Sequence, residues 1–224
     1  MFKPVSLRLL AVIFSLTLLA ACADPAHRPD YTAFRKSQPR SILVLPPVNE
    51  TSDVNATYGV LSQLTLPLAE SGYYVMPVAL VEETFKQNGL TTPPDIQAVA
   101  PDRLREIFGA DTALYTKVTQ YGSVYQVIDS TTIVAASAKL VDLRTGDVLW
   151  QGNARATGKE LGANVNVNAF GLVGVLVQAA VKQIAHNLSD ESVPVAGLAG
   201  RRLLSAGTPS GLLYGPYSPK YGSD

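Results

Sequence analysis

The stretch "STTIVAASAKLVDLRTGDVLWQGNARATG" occupies residues 130–158. Its first run alternates and places Val134, Ala136, Ala138 and Leu140 on one face. Its second run alternates too and aligns Val148, Trp150, Gly152 and Ala154. A period of two marks a β-strand with one buried face, because successive side chains point to opposite sides. "DLRTGD" (142–147) joins the runs, and Gly146 supplies the positive φ of a tight hairpin loop with a bulge. Just upstream, "DTALYTKVTQYG" (111–122) is rich in β-formers. Residues 111–158 are therefore expected to form a three-stranded antiparallel meander.

The chain before the meander has a different rhythm. "SILVLPPV" (41–48) is a short continuous apolar run stopped by two prolines, as expected of a central strand buried on both faces. "YGVLSQLTLPLAESG" (58–72) spaces Leu61, Leu64, Leu68 and Ala69 as a helix does, with Pro67 expected to bend it and Gly72 to close it. "YYVMP" (73–77) reads as a second short strand. Residues 78–89 form a predicted helix carrying Leu80, Val81, Thr84 and Phe85 on one side and ending at Gly89. "LTTPPDIQAVA" (90–100) is expected to be a Pro-rich connector. "PDRLREIFGA" (101–110) has Pro101 in a first helical turn, an apolar Leu104–Ile107–Phe108 face and Gly109 as its stop. The fold class predicted is α/β: a mixed sheet with an N-terminal β-α-β part, the meander, and helices packed on the sheet. The domain is expected over 41–190.

"NAFGLVGVLVQAAVKQIAHNL" (168–188) is a predicted helix. Phe170, Val173, Val177, Val181, Ile184 and Leu188 form one stripe, and Gly171 and Gly174 lie on another side. Burial on more than one side is expected, against the sheet and against either a partner protomer, which predicts a homodimer, or the rest of its own domain. Its apolar stretch is too short to span a bilayer. Residues 191–224, rich in Gly, Pro, Ser and Tyr, read as a C-terminal tail, either disordered or docked on a partner.

The N-terminus carries an address. Lys3 and Arg8 precede the apolar run "LLAVIFSLTLLA" (9–20), so residues 1–21 read as a lipoprotein signal peptide. Leu19, Ala20, Ala21 and Cys22 follow the Leu-small-small-Cys pattern of a bacterial lipobox, and Cys22 is the only cysteine of the chain. Its thiol is the expected acceptor of diacylglycerol, and several acyl chains give stable anchoring. Asp24 stands one place after Ala23, not directly after Cys22, which predicts the outer membrane, with either a periplasmic or a surface-facing domain. Residues 22–40 read as a flexible tether of roughly 60 Å when fully extended.

Composition narrows function. With 47% hydrophobic residues the chain has material for a core. Without Lys3 and Arg8, 16 basic residues face 18 acidic ones, so no basic excess marks a nucleic-acid binder. The chain has two histidines: His27 in the tether and His186 late in a helix, both expected at the surface. No HExxH, GxSxG, Walker or GxGxxG motif occurs, and no Cys/His cluster exists for zinc. Glu82 and Glu83 are adjacent, so on a helix they diverge by roughly 100°. Asp142 and Asp147 flank the hairpin as turn formers. Asn49, Thr51, Ser52 and Asp53 leave the carboxyl end of the first strand, where α/β folds bind ligands, but turn formation and helix capping account for them equally. No cofactor, metal or catalytic residue is predicted.

Five stretches, "ILVLPPVNETS", "GYYVMPVALVEETFKQNGLTTPPDIQ", "LREIFGADTALY", "LVDLRTGDVLW" and "LLYGPYSPKYGSD", together resemble a proteobacterial lipoprotein family that includes a neisserial genome-derived vaccine-candidate antigen. The resemblance covers nearly all of the mature chain. It implies a domain like the N-terminal domain of TolB, dimerisation, and no established molecular activity. It also implies a gene commonly found beside that of a lipoprotein related to the curli secretion pore. Cys22 is the one functional position it carries. The hairpin alone is also similar to outer-membrane lipoproteins such as activators of penicillin-binding proteins, though any tight hairpin favours such a motif. The expected function is a non-enzymatic outer-membrane lipoprotein accessory in envelope secretion or assembly, with a curli-pore-like lipoprotein as partner. A regulator of peptidoglycan synthesis is the alternative. Tyr214, Tyr217 and Tyr221 are candidate docking residues, because tyrosine brings large contact area at low entropic cost.

Overall fold

Strand β1 (Ser41–Val44) lies inside a six-stranded mixed sheet. The computed structural model describes residues 29–125, 130–162 and 191–224. The predicted signal peptide, Cys22, His27, the 168–188 helix and His186 lie outside those residues. β1 pairs in parallel with β3 (Tyr74–Val75) on one side and with β4 (Thr112–Tyr125) on the other. β2 (Val48–Asn49) also pairs in parallel with β4, further along it. β5 (Ser130–Asp142) and β6 (Val148–Thr157) continue the sheet antiparallel, giving the order β3-β1-β4-β5-β6. This is the mixed sheet expected, with the β-α-β part and the meander in their predicted places.

The helices divide between the two faces. On the first face lie α2 (Ala56–Glu70) and α7 (Ser192–Leu204). On the second lie α3 (Val78–Gln87), α4 (Pro93–Gln97) and α5 (Pro101–Phe108). β1 shows the consequence residue by residue. Ile42 and Val44 enter the core of the first face, and Leu43 and Leu45 enter that of the second. A continuous apolar run is what a strand roofed on both sides requires. β5 is roofed differently: Val134, Ala136, Ala138 and Leu140 all face the first core, and Ser137 and Lys139 face the other way. Pro67 sits inside α2 without ending it, and the presumed connector holds the short helix α4, capped by Thr92, whose hydroxyl accepts the Asp95 amide.

The hairpin departs from strict alternation at one residue. The β5–β6 register shifts so that Leu140 pairs with Trp150 and Val141 with Val148. Leu149 is the extra residue, and it is buried on the first face together with Trp150. Val148 is thereby turned out to solvent at 48% exposure, against the expectation that it aligns inward with Trp150. Gly146 takes φ +78° in the loop, as predicted.

Two boundaries of the predicted organisation are corrected. The expected tether ends earlier than residue 40, because Thr32–Ser37 form helix α1 and Phe34 is buried in the first core. Ser37 Oγ donates to Asp142 at 2.5 Å, and Arg144 Nη2 donates to the Ser37 carbonyl at 2.9 Å. These bonds latch α1 to the hairpin loop. One buried aromatic in a polar segment is invisible to composition. The C-terminal tail, which the sequence leaves open between disorder and docking, is folded too. α7 buries Val195, Ala196, Ala199, Leu203 and Leu204 and packs beside α2 over β5 and β6. Short α6 (Gly158–Gly162) precedes it in the chain, tied to it through the Glu160–Arg202 ion pair.

After α7 the C-terminal segment closes the end of the first core. Leu212 and Leu213 are buried there. Gly215 N donates to the Ser71 carbonyl at 2.8 Å, and Tyr217 N to the Gly72 carbonyl at 3.0 Å. Trp150 Nε1 donates to the Ser210 carbonyl at 2.9 Å, and Tyr73 Oη to that of Leu213 at 2.5 Å. Gly72 has φ +91°, and a side chain there would strike Ser218. The turn after α2 therefore needs glycine for both its conformation and the approach of the C-terminal segment.

Candidate functional site

The second face is roofed only over its first half. Beyond β4 no helix among the described residues covers it, and β4, β5 and β6 present a shallow cleft of about 540 Å³. Alternation places its residues. Tyr115 and Lys117 come from β4, Ser137 and Lys139 from β5, and Gln151 and Asn153 from β6. The cross-strand register brings Tyr115 opposite Lys139 and Lys139 opposite Gln151.

The wall of the cleft is fixed by Gln97 at the end of α4. Its Nε2 donates to the Pro46 carbonyl at 2.9 Å and to the Thr116 carbonyl at 3.0 Å. Both carbonyls are left over where the sheet passes from β1 to β2, so this one side chain seals the gap and fixes α4 beside the cleft. The Lys139 ammonium lies 5.1 Å from the centre of the Tyr115 ring, a cation–π distance. Burial pushes the Tyr115 phenol above its ordinary pKa, so it remains a neutral hydrogen-bonding group. Lys117 pairs with Glu50 at 3.0 Å, both side chains being well exposed. Arg155 extends the polar face along β6 and donates to Gln120 Oε1 at 3.3 Å. The face offers cations, amides, a hydroxyl and an aromatic plane. These are groups that can hydrogen-bond, pair with charge and stack.

The residues weighed in the sequence scatter elsewhere. Asn49, Thr51 and Asp53 satisfy one another: Asn49 Nδ2 donates to the Asp53 carbonyl at 2.7 Å, and Thr51 Oγ1 to Asn49 Oδ1 at 2.8 Å. Asp53 Oδ1 accepts the Asn55 amide at 2.9 Å, which shapes the turn into α2. Glu82 takes Lys86 at 2.8 Å and the Tyr58 hydroxyl at 2.9 Å, whereas Glu83 accepts from Gln87, so the adjacent pair serves different neighbours. The Lys86 bond chiefly holds the Glu82 carboxyl below its usual range.

Asp142 does more than turn the hairpin. Burial alone would raise its pKa, but hydrogen bonds from Ser37, the Arg144 amide and the Arg144 guanidinium outweigh that and hold it low. Tyr214 is half-buried beneath Lys220, 5.5 Å from its ring centre, while Tyr217 and Tyr221 are exposed. Among the described residues no three His, Cys, Asp or Glu side chains gather as a metal site, and no helix is long and apolar enough to cross a membrane.

None of the cleft residues stood out in the sequence. Their signal was there in the polar half of the alternation, at Lys117, Ser137, Lys139, Gln151 and Asn153. Alternation reports which side chains point away from one core. It does not report whether a second layer covers them.

Known proteins share this sequence and architecture. A lipoprotein of Neisseria meningitidis serogroup B (strain ATCC BAA-335 / MC58), named "Putative lipoprotein NMB1124/NMB1162", is 51% identical over 214 residues, covering 96% of each chain. The crystal structure of lipoprotein GNA1162 from Neisseria meningitidis is 53% identical, covers 66% of this chain and 99% of that one, and superposes with a TM-score of 0.51. The C-terminal domain of LpoB from Salmonella enterica aligns at 21% identity over 53% of this chain and 82% of that one, with a TM-score of 0.39, too low to bear on function. The family described as "Putative lipoprotein GNA1162-like" matches residues 29–217, from the start of the described chain into its C-terminal segment, and the chain belongs to that lipoprotein family.

Proposed function

We propose that this protein is a non-enzymatic lipoprotein of the outer membrane, acylated at Cys22, that serves as an accessory in envelope secretion or assembly. The observation that carries the reading is the half of the second sheet face that no described helix covers. It is built by three long strands, walled by Gln97 and lined by groups that bind rather than react. A face of this size and polarity suits a protein partner engaged in the envelope. The lipobox at Leu19–Cys22 supplies the membrane anchor, and Ala23 after the cysteine supports the outer membrane. The family resemblance supports a curli-pore-like lipoprotein as that partner and a homodimer as the working form.

Site-specific photo-crosslinking in cells tests the reading. A photoreactive residue replacing Lys139 is expected to capture the curli-pore-like lipoprotein, while one replacing Glu83 on α3 is expected to leave it uncaptured. Self-adducts alone from Lys139, or equal capture from both positions, would refute it.

A further inference from the structure

We propose that the pole formed by α1 and the C-terminal segment lies against the lipid surface, with Tyr217, Lys220 and Tyr221 in the headgroup layer. The inference rests on the lipoprotein reading of Cys22 and adds an orientation to it. Its first ground is length. The described chain reaches back to Pro29, three residues before α1, and Cys22 is seven residue steps from Pro29, a span of at most roughly 25 Å at full extension. A bilayer anchor at Cys22 therefore holds α1 close to the membrane.

The second ground is what surrounds α1. The C-terminal segment is bonded to it: Arg35 Nη2 donates to the Asp224 carbonyl at 3.1 Å, and Tyr31 Oη to the Gly211 carbonyl at 2.5 Å. Tyr217 and Tyr221 on that segment are 63% and 50% exposed, and the exposed Lys220 stands between them in sequence. Amphipathic rings and cations are the groups that settle at a membrane–water interface.

The third ground is the axis of the sheet. Ser41, Thr112 and Asp142 lie at the α1 end, and the far ends of β4 and β5 lie at the other. The 13 residues of β5 set the two poles apart by about 40 Å. The sheet then stands away from the bilayer, and its open face looks sideways into the envelope.

Lipidated mature protein, extracted from membranes and reconstituted into phosphatidylethanolamine–phosphatidylglycerol vesicles with headgroup-nitroxide lipid, tests this. Cys22 is the only native cysteine, so once acylated it leaves a thiol introduced by Ser223→Cys or Val124→Cys as the sole attachment point for a fluorophore. The Ser223 label is expected to be quenched several-fold more than the Val124 label, and Tyr217→Ser with Tyr221→Ser is expected to remove most of that difference. Equal quenching at the two poles overturns the orientation, and a difference that survives the tyrosine changes overturns the headgroup contact. A Ser223 label unquenched by lipid yet shielded in whole cells assigns the tyrosines to a protein partner and also overturns it. Mass spectrometry of Cys22 separates these results from failure of the lipoprotein reading: an unacylated chain that washes off vesicles defeats both.

Discussion

The two faces of the sheet are built from the same strands and have opposite fates. The first is roofed from end to end by α2, α7 and the C-terminal segment, with Leu140, Trp150 and Ala156 sealed at 2% exposure or less. The second is sealed over β1 and the start of β4, and beyond them no described helix covers it; Lys139 and Gln151 are exposed there. Position in the sheet therefore does not decide burial. Among the described residues, what decides it is whether another segment of chain lies over the strands, and α7 lies over one side only.

The contrast is sharpest at neighbouring residues of β5. Leu140→Ala is expected to cost about 2–5 kcal/mol, because it empties a site under α7 that cannot refill. Lys139→Ala, one residue away on the open face, is expected to cost less than about 1 kcal/mol, its only loss being the contact with Tyr115. Denaturant unfolding of the two variants measures the difference, and similar losses would mean that the open face is covered after all.

The roof itself can be loosened. Gly72→Ala forces a side chain into a left-handed turn and against Ser218, so a loss of about 1–3 kcal/mol is expected. Limited proteolysis should then cut the 205–224 segment before the rest of the domain. Unchanged protection would show that Trp150 and Tyr73 hold the segment without the turn.

The smallest effect lies at the edge of the roof. Hydrogen bonds from Arg202 and then Thr157 pull the Glu160 carboxyl from its ordinary 4.5 to about 2. A lowered carboxylate contributes stability in full above its unfolded pKa and loses it as pH falls through the folded value. Wild-type stability should therefore decline between about pH 4.5 and pH 2, and Glu160→Gln should flatten that limb. The group is exposed, so the change is modest. An acid limb identical in both proteins would assign the decline to Asp142, whose carboxyl is also held low.

The covered face was largely legible in the sequence. Val134, Ala136, Ala138 and Leu140 announced it by period, and Ile42 to Leu45 announced the doubly roofed strand by lacking one. Two things were not legible. Phe34 and the α7 residues Val195, Ala199 and Leu203 are core, but they sit among prolines, glycines and charges that average them away. The bulge at Leu149 exchanges the places of Val148 and its neighbour, and no period records an inserted residue. The cleft was the least legible part, because it depends on where the described helices lie and not on the strands that line it.

The latch of α1 also has a mechanical meaning. With the anchor proposed at Cys22, a pull from the membrane reaches α1 before any other described element. There it divides between the hairpin loop, through Ser37, Asp142 and Arg144, and the C-terminal segment, through Tyr31 and Arg35. The load is shared by two parts of the chain more than a hundred residues along from α1 before any strand is peeled. For a domain moored as proposed, α1 is the strain-relief knot of its own leash.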